Sequence, residues 1–117
     1  MKFYKLDEDK KAVPLGNAFE FAEAIGTQPR FVGEDTLEDV NVTTIFLGID
    51  LGHGRSKKPI LFETMILGGN LNGETQRYST WEEAETGHKT MVELVKTAQK
   101  LNEPTEVTGD QQEVQNG

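Results

Sequence analysis

Residues 42–49 and 60–67 carry apolar or β-branched side chains at most positions, which suits two strands on a pleated, largely buried surface. Between them, residues 50–59 gather Gly52, His53, Gly54, Arg55, Lys57 and Lys58, too much glycine and charge to continue a strand. The pattern predicts a hairpin with a long basic tip. In the first strand Thr43, Ile45, Leu47 and Ile49 share one face and Val42, Thr44, Phe46 and Gly48 the other. In the second the faces are Ile60, Phe62, Thr64 and Ile66 against Leu61, Glu63, Met65 and Leu67. No face is cleanly polar, so both are expected to be covered, by the helices or by a second copy of the chain.

The flanking segments complete the outline. Residues 3–6 alternate apolar with Lys, and with residues 12–14 they suit a short hairpin or an extended arm. Asn17 is placed to cap a helix over residues 18–25, with Glu20 in the capping-box position and Gly26 closing it. A strand is expected over 30–36, a turn at 37–39, a glycine and asparagine loop ending in Asn72-Gly73, and a short strand over 74–79. Thr80 followed by Glu83 opens a long helix over 81–101, whose stripe is Trp81, Ala84, His88, Met91, Val95 and Ala98. The expected fold is α+β: an antiparallel sheet of four to five strands packed by the long C-terminal helix and a short N-terminal helix. Residues 1–101 form one domain, and 102–117 read as an acidic disordered tail.

Charge sharpens this picture. Across 117 residues, 12 Lys and Arg face 20 Asp and Glu, a net charge of −8, which argues against direct nucleic acid binding or an anionic membrane partner. Four of the eight excess negative charges (Glu103, Glu106, Asp110 and Glu113) lie in the tail. The tip is the one local positive concentration outside it. No cysteine is present, which excludes disulfides, thiolate catalysis and Cys-based zinc sites. No apolar run approaches the roughly 20 residues of a membrane helix. A cytoplasmic protein is expected, without a cofactor: HExxH, CxxC, GxSxG, the P-loop and GxGxxG are all missing.

Among candidate residues, His88 lies on the apolar stripe of the long helix. Its structural reading is a core histidine fixing helix against sheet; its functional reading is an acid-base or ligand-binding pair with Glu63 or Asp50. Asp50 and His53 supply two metal ligands at most, short of a site. Glu63, among apolar neighbours on its strand, needs a partner, and Arg30 or Arg77 would serve. The tip, with His53, Arg55, Lys57 and Lys58, is built either to hold an anion or to block edge pairing. Asn70, Asn72, Arg77 and Tyr78 would join it only if the strand ends meet on one side.

The segments VTTIFLGID, LFETMILGG and RYSTWEEAETGH resemble a family of short uncharacterised proteins from bacteriophages, prophages and some bacteria, over most of residues 3–95. The resemblance implies a phage or bacterial cytoplasmic origin, hence the host cytoplasm if phage-encoded, and no mechanism. Members of that family often carry His directly after the Asp of the LGID segment; here Leu51 and Gly52 intervene, so no role passes to His53. The function expected is a non-enzymatic accessory binding module, self-associating, that sequesters a small anionic ligand such as a host-defence nucleotide signal or binds a host protein. Two alternatives stay open: a small hydrolase or lyase using His88 with Glu63 or Asp50, and an acidic nucleic-acid mimic or structural phage component.

Overall fold

In a computed structural model, which describes residues 2–27, 30–55 and 57–102, the chain forms six strands and two helices. Strands β3 (Phe31–Leu37), β4 (Val40–Phe46), β5 (Phe62–Leu67) and β6 (Thr75–Tyr78) make an antiparallel meander in that order. Ahead of it, β1 (Phe3–Leu6) and β2 (Ala12–Leu15) pair as a separate hairpin. The hairpin is tied to the main sheet by a bridge between Phe3 and Ile49 and by the Tyr4 amide, which donates to the Gly48 carbonyl at 2.8 Å.

That tie explains why β4 stops short of the apolar run that encodes it: Ile49 turns away from β5 to meet β1. The β4–β5 ladder continues irregularly instead, with Leu47 N donating to Leu61 O at 2.7 Å and Leu51 N to Ile60 O at 2.8 Å. Leu61, expected on the Glu63 face, is consequently fully buried and packs with Phe46, Phe62 and Trp81.

Both helices start where their caps predict. Asn17 Oδ1 accepts the Glu20 amide at 2.9 Å and opens α1 (Ala18–Ile25). Thr80 Oγ1 accepts the Glu83 amide at 3.1 Å while Glu83 Oε1 accepts the Ser79 and Thr80 amides, a reciprocal box opening α2 (Trp81–Asn102). At the far end, Gln99 Nε2 donates to the Leu37 carbonyl at 2.8 Å and holds the last turns to β3. The tail expected over 102–117 lies outside the described residues beyond Asn102.

α2 lies across one face of the four-stranded sheet, and its stripe divides the core in two. Toward its C-terminus Met91 and Val95 pack on Val40, Val42 and Ile66; toward its N-terminus Trp81 and Ala84 pack on Phe46, Leu61 and Phe62. Between the two apolar clusters stand Thr44, Thr64 and His88. Of the two covers expected for the second sheet face, the helices do not supply one, because α1 packs on β1 and β2 instead. The uncovered face is more polar than its apolar count suggests: Thr43, Glu63 and Arg77 share it with the exposed Met65 and Leu67.

Two glycines make the helix approach possible. A Cβ at Gly33 would lie 2.9 Å from the His88 ring, and one at Gly87 would lie 2.1 Å from the Tyr78 ring. Helix propensity alone favours Ala over Gly by about 1 kcal/mol, while overpacking a tight contact costs about 1–3 kcal/mol. At 2.1 Å the clash wins: Gly87→Ala should lower the thermal midpoint followed by circular dichroism, with Lys89→Ala, exposed on the same helix, unchanged. A raised midpoint would contradict this packing.

Candidate functional site

The polar residues caught between the two clusters extend, through Asp35 at one end and Tyr78 at the other, into one chain of hydrogen bonds with a member from each strand of the sheet and one from α2. Asp35 on β3 meets His88 Nε2 at 2.7 Å, and His88 Nδ1 meets Thr44 Oγ1 on β4 at 2.7 Å. Thr44 Oγ1 bonds Thr64 Oγ1 on β5, which meets the Tyr78 hydroxyl on β6 at 3.1 Å. A carboxylate only accepts, so with a neutral imidazole the proton sits on Nε2 and Nδ1 must accept. The donors then run one way: Tyr78 to Thr64, Thr64 to Thr44, Thr44 to His88, His88 to Asp35. Each hydroxyl donates once and accepts once, except at the Tyr78 end, and no buried polar atom of the row is left unpaired.

Asp35, His88 and Thr44 reproduce the connectivity of a carboxylate–imidazole–hydroxyl catalytic set. Thr44 is fully buried, however, and its oxygen is already shared by Thr64 and His88, so no substrate atom reaches it. His88 is only 7% exposed. The set holds α2 on the sheet.

The pairing of His88 with Glu63 or Asp50 does not form. Glu63 points from the opposite face of β5, where Arg77 Nε meets it at 3.1 Å across the register pair Glu63–Arg77. Arg30, the other partner considered for Glu63, donates from Nε to the Phe46 carbonyl at 3.1 Å. Asp50 organises the tip instead. Its carboxylate accepts the amides of Gly52 at 2.8 Å, Gly54 at 3.0 Å and Ile60 at 3.0 Å. The Ile60 amide leads in holding this carboxyl below the usual carboxylate range; burial opposes it, and the Gly52 and Gly54 amides and nearby His53 add to it.

The meander decides which candidates meet. The 50–59 tip and the end of β6 lie at one end of the sheet, and the β5–β6 turn lies at the other. Lys57, Lys58, Arg77 and Tyr78 therefore line one shallow open depression with Ile60 and Glu83. Asn70 lines a separate cavity beside Asp39 and Val95, and Asn72 accepts the Gly68 amide at 2.7 Å, so neither joins the tip. His53, in the left-handed region at φ 53°, is turned to a small pocket with Lys2 and Asp50. Arg55 is exposed and lines neither surface. His88 reaches the depression only through Thr44, Thr64 and Tyr78. Burial raises the Tyr78 hydroxyl pKa, against the Thr64 bond that lowers it, so the phenol stays neutral and keeps its proton for Thr64. Among the described residues no group of three or more His, Asp or Glu could hold a metal ion, and no helix is long and apolar enough to cross a membrane.

The Asp35 partnership of His88 was missed because 53 residues separate them. A signal was present: Thr44, Thr64 and His88 interrupt three apolar faces at matching depth, which is the mark of a buried polar layer.

Thr44→Val keeps the side-chain shape and strands the His88 Nδ1 and Thr64 groups, each costing about 1–3 kcal/mol when left unpaired in the core. The double variant Thr44→Val with Thr64→Val removes their shared bond once, so urea denaturation should show a loss smaller than the sum of the two single variants; strict additivity would refute the chain. Because the folded Asp50 carboxyl is more acidic than the unfolded one, its contribution is full at neutral pH and fades as pH falls through the folded value. Asp50→Asn should therefore be less stable than the parent at pH 7, with the gap closing below about pH 4. Compared with family models, with curated proteins and with solved structures, the chain finds no match.

Proposed function

We propose that this chain is a non-enzymatic binding protein that holds a small phosphate-bearing anion in the depression formed by Lys57, Lys58, Arg77 and Tyr78. The observation that carries the reading is the convergence of three cations and a phenol on one concave surface of a chain with net charge −8. In a chain of that charge a local cluster of cations calls for a reason. Gatekeeping at a hairpin tip and on the edge strand β6 needs charge but no concavity. Lys and Arg supply charge-assisted donors to phosphate oxygens, and Tyr78, whose one hydroxyl proton goes to Thr64, supplies part of the wall. An enzymatic role for His88 gains no support from a hydroxyl neighbour sealed in the core.

Inorganic phosphate titrated into the labelled protein at low salt should shift the backbone amide resonances at 57, 58, 77 and 78. Charge-assisted bonds contribute about 1.5–3 kcal/mol each, so Lys57→Glu with Lys58→Glu should weaken binding by at least about tenfold with the thermal midpoint unmoved. Binding should also fall as salt screens the cations. Shifts confined to other surfaces, or undiminished binding by the variant, would refute the reading.

A further inference from the structure

The basic depression does not end at Lys58. Lys58 and Ser79 also line a second cleft, of about 400 Å³, between the N-terminal hairpin and the start of α2. Its character is different: Tyr4, Pro14, Pro59, Phe62 and Trp81 give it apolar and aromatic walls, and Lys10 and Lys11 stand with Lys58 at the same cleft against one acid, Glu82. The volume lies within the roughly 300–1,000 Å³ range of small-molecule sites.

The chain commits local structure to this cleft. Asp7 Oδ1 accepts the Asp9 amide at 2.8 Å and the Lys11 amide at 2.9 Å, and Lys10 N donates to the Asp7 carbonyl at 2.9 Å. Lys10 takes up the left-handed conformation at φ 63° in the resulting turn. The turn delivers the Lys10 ammonium to 4.3 Å from the centroid of the Trp81 ring, across the gap between hairpin and helix. β1 and β2 thus form one wall of a cleft whose other wall is the four-stranded domain.

Resting on the anion-site reading above, we propose that the two surfaces are one bipartite site and that its ligand is an aromatic phosphate ester, a flat ring joined to a phosphate. The ring enters the cleft and loses its apolar area to the aromatic and proline walls, while the phosphate sits among Lys57, Lys58 and Arg77. Lys58, shared by both lobes, marks the junction. An anion alone in an open depression competes with water at every contact. Joining it to a ring that binds next door makes the second contact intramolecular and raises affinity without any new group on the protein. The lysines around the apolar lobe disfavour a cationic ring.

Trp81 is the only tryptophan, so its emission reports on the cleft and not on the depression. The full chain is titrated with inorganic phosphate, adenosine, adenosine 5′-monophosphate and hexyl phosphate, by calorimetry and by Trp81 fluorescence. The monophosphate should bind at least about tenfold tighter than phosphate and than hexyl phosphate, and should change Trp81 emission; phosphate should bind without changing it. Ala12→Phe, at an exposed position lining the cleft, should reduce the monophosphate to the affinity of phosphate and leave phosphate binding unaltered. Phosphate binding with no gain for the monophosphate, with silent Trp81, or with hexyl phosphate equal to it, would overturn the bipartite site and leave the anion site standing. No binding of phosphate or of the monophosphate would overturn both.

Discussion

The row of hydrogen bonds from Tyr78 through Thr64, Thr44 and His88 to Asp35 is the constraint around which the rest of the domain is arranged. Three polar side chains inside a core, Thr44, Thr64 and His88, are tolerable only when every donor finds an acceptor, because each failure costs about 1–3 kcal/mol. The requirement is geometric as well as chemical. It sets the register of all four strands at once, since moving β5 by one residue would carry Thr64 to the outer face and put Glu63 or Met65 beneath the helix. It also sets the height of α2, since His88 reaches Thr44 only if the helix sits low, and that is the role of Gly33 under His88 and of Gly87 over Tyr78. An all-apolar layer would bury as much area and tolerate more than one register; the polar layer penalises the wrong ones.

The same row explains why the residues most suggestive of catalysis are not placed to perform it. Asp35, His88 and Thr44 have the connectivity of an activated hydroxyl, yet activation serves chemistry only where a substrate can approach. What the row does offer the surface is its terminal member. Tyr78 is held by Thr64 and lines the depression with Lys57, Lys58 and Arg77, so one wall of the proposed site is tied to the buried row.

Local signals in the chain were legible wherever the determining contacts are local. Asn17 with Glu20 and Thr80 with Glu83 mark both helix starts, because capping depends on residues three apart. The four strands and the long helix follow from periodicity, and the antiparallel sheet with the C-terminal helix on one face stands as expected. The misreadings come from distance and from irregularity. Nothing local says that Asp35 faces His88, or that β1 would capture Ile49 and so shift Leu61 into the core. Among the candidate residues, Lys57, Lys58, Arg77 and Tyr78 assemble because a meander returns alternate strand ends to one side; Asn70 and Asn72 separate from them for the same reason.

A chain this acidic must keep its own carboxylates from cancelling a basic site, and of the two nearest one is committed elsewhere while the other takes only one edge of Arg77. Glu83 spends its carboxylate on the Ser79 and Thr80 amides at the start of α2, where the helix dipole already favours negative charge. Glu63 engages Arg77 through Nε, which leaves the terminal guanidinium nitrogens for another acceptor and fixes the side chain's direction. Asp50, the remaining acid of the tip, is turned inward onto the backbone amides of Gly52, Gly54 and Ile60. Glu83 and Asp50 thus carry structural duties that draw their charge away from the depression, whereas Glu63 stays paired to Arg77; Lys57 and Lys58 face solvent with no ion pair among the described residues. In a protein of net charge −8 that is the arrangement an anion site requires, because long-range repulsion is screened within roughly 8 Å at physiological ionic strength and only the nearest charges decide whether a phosphate stays.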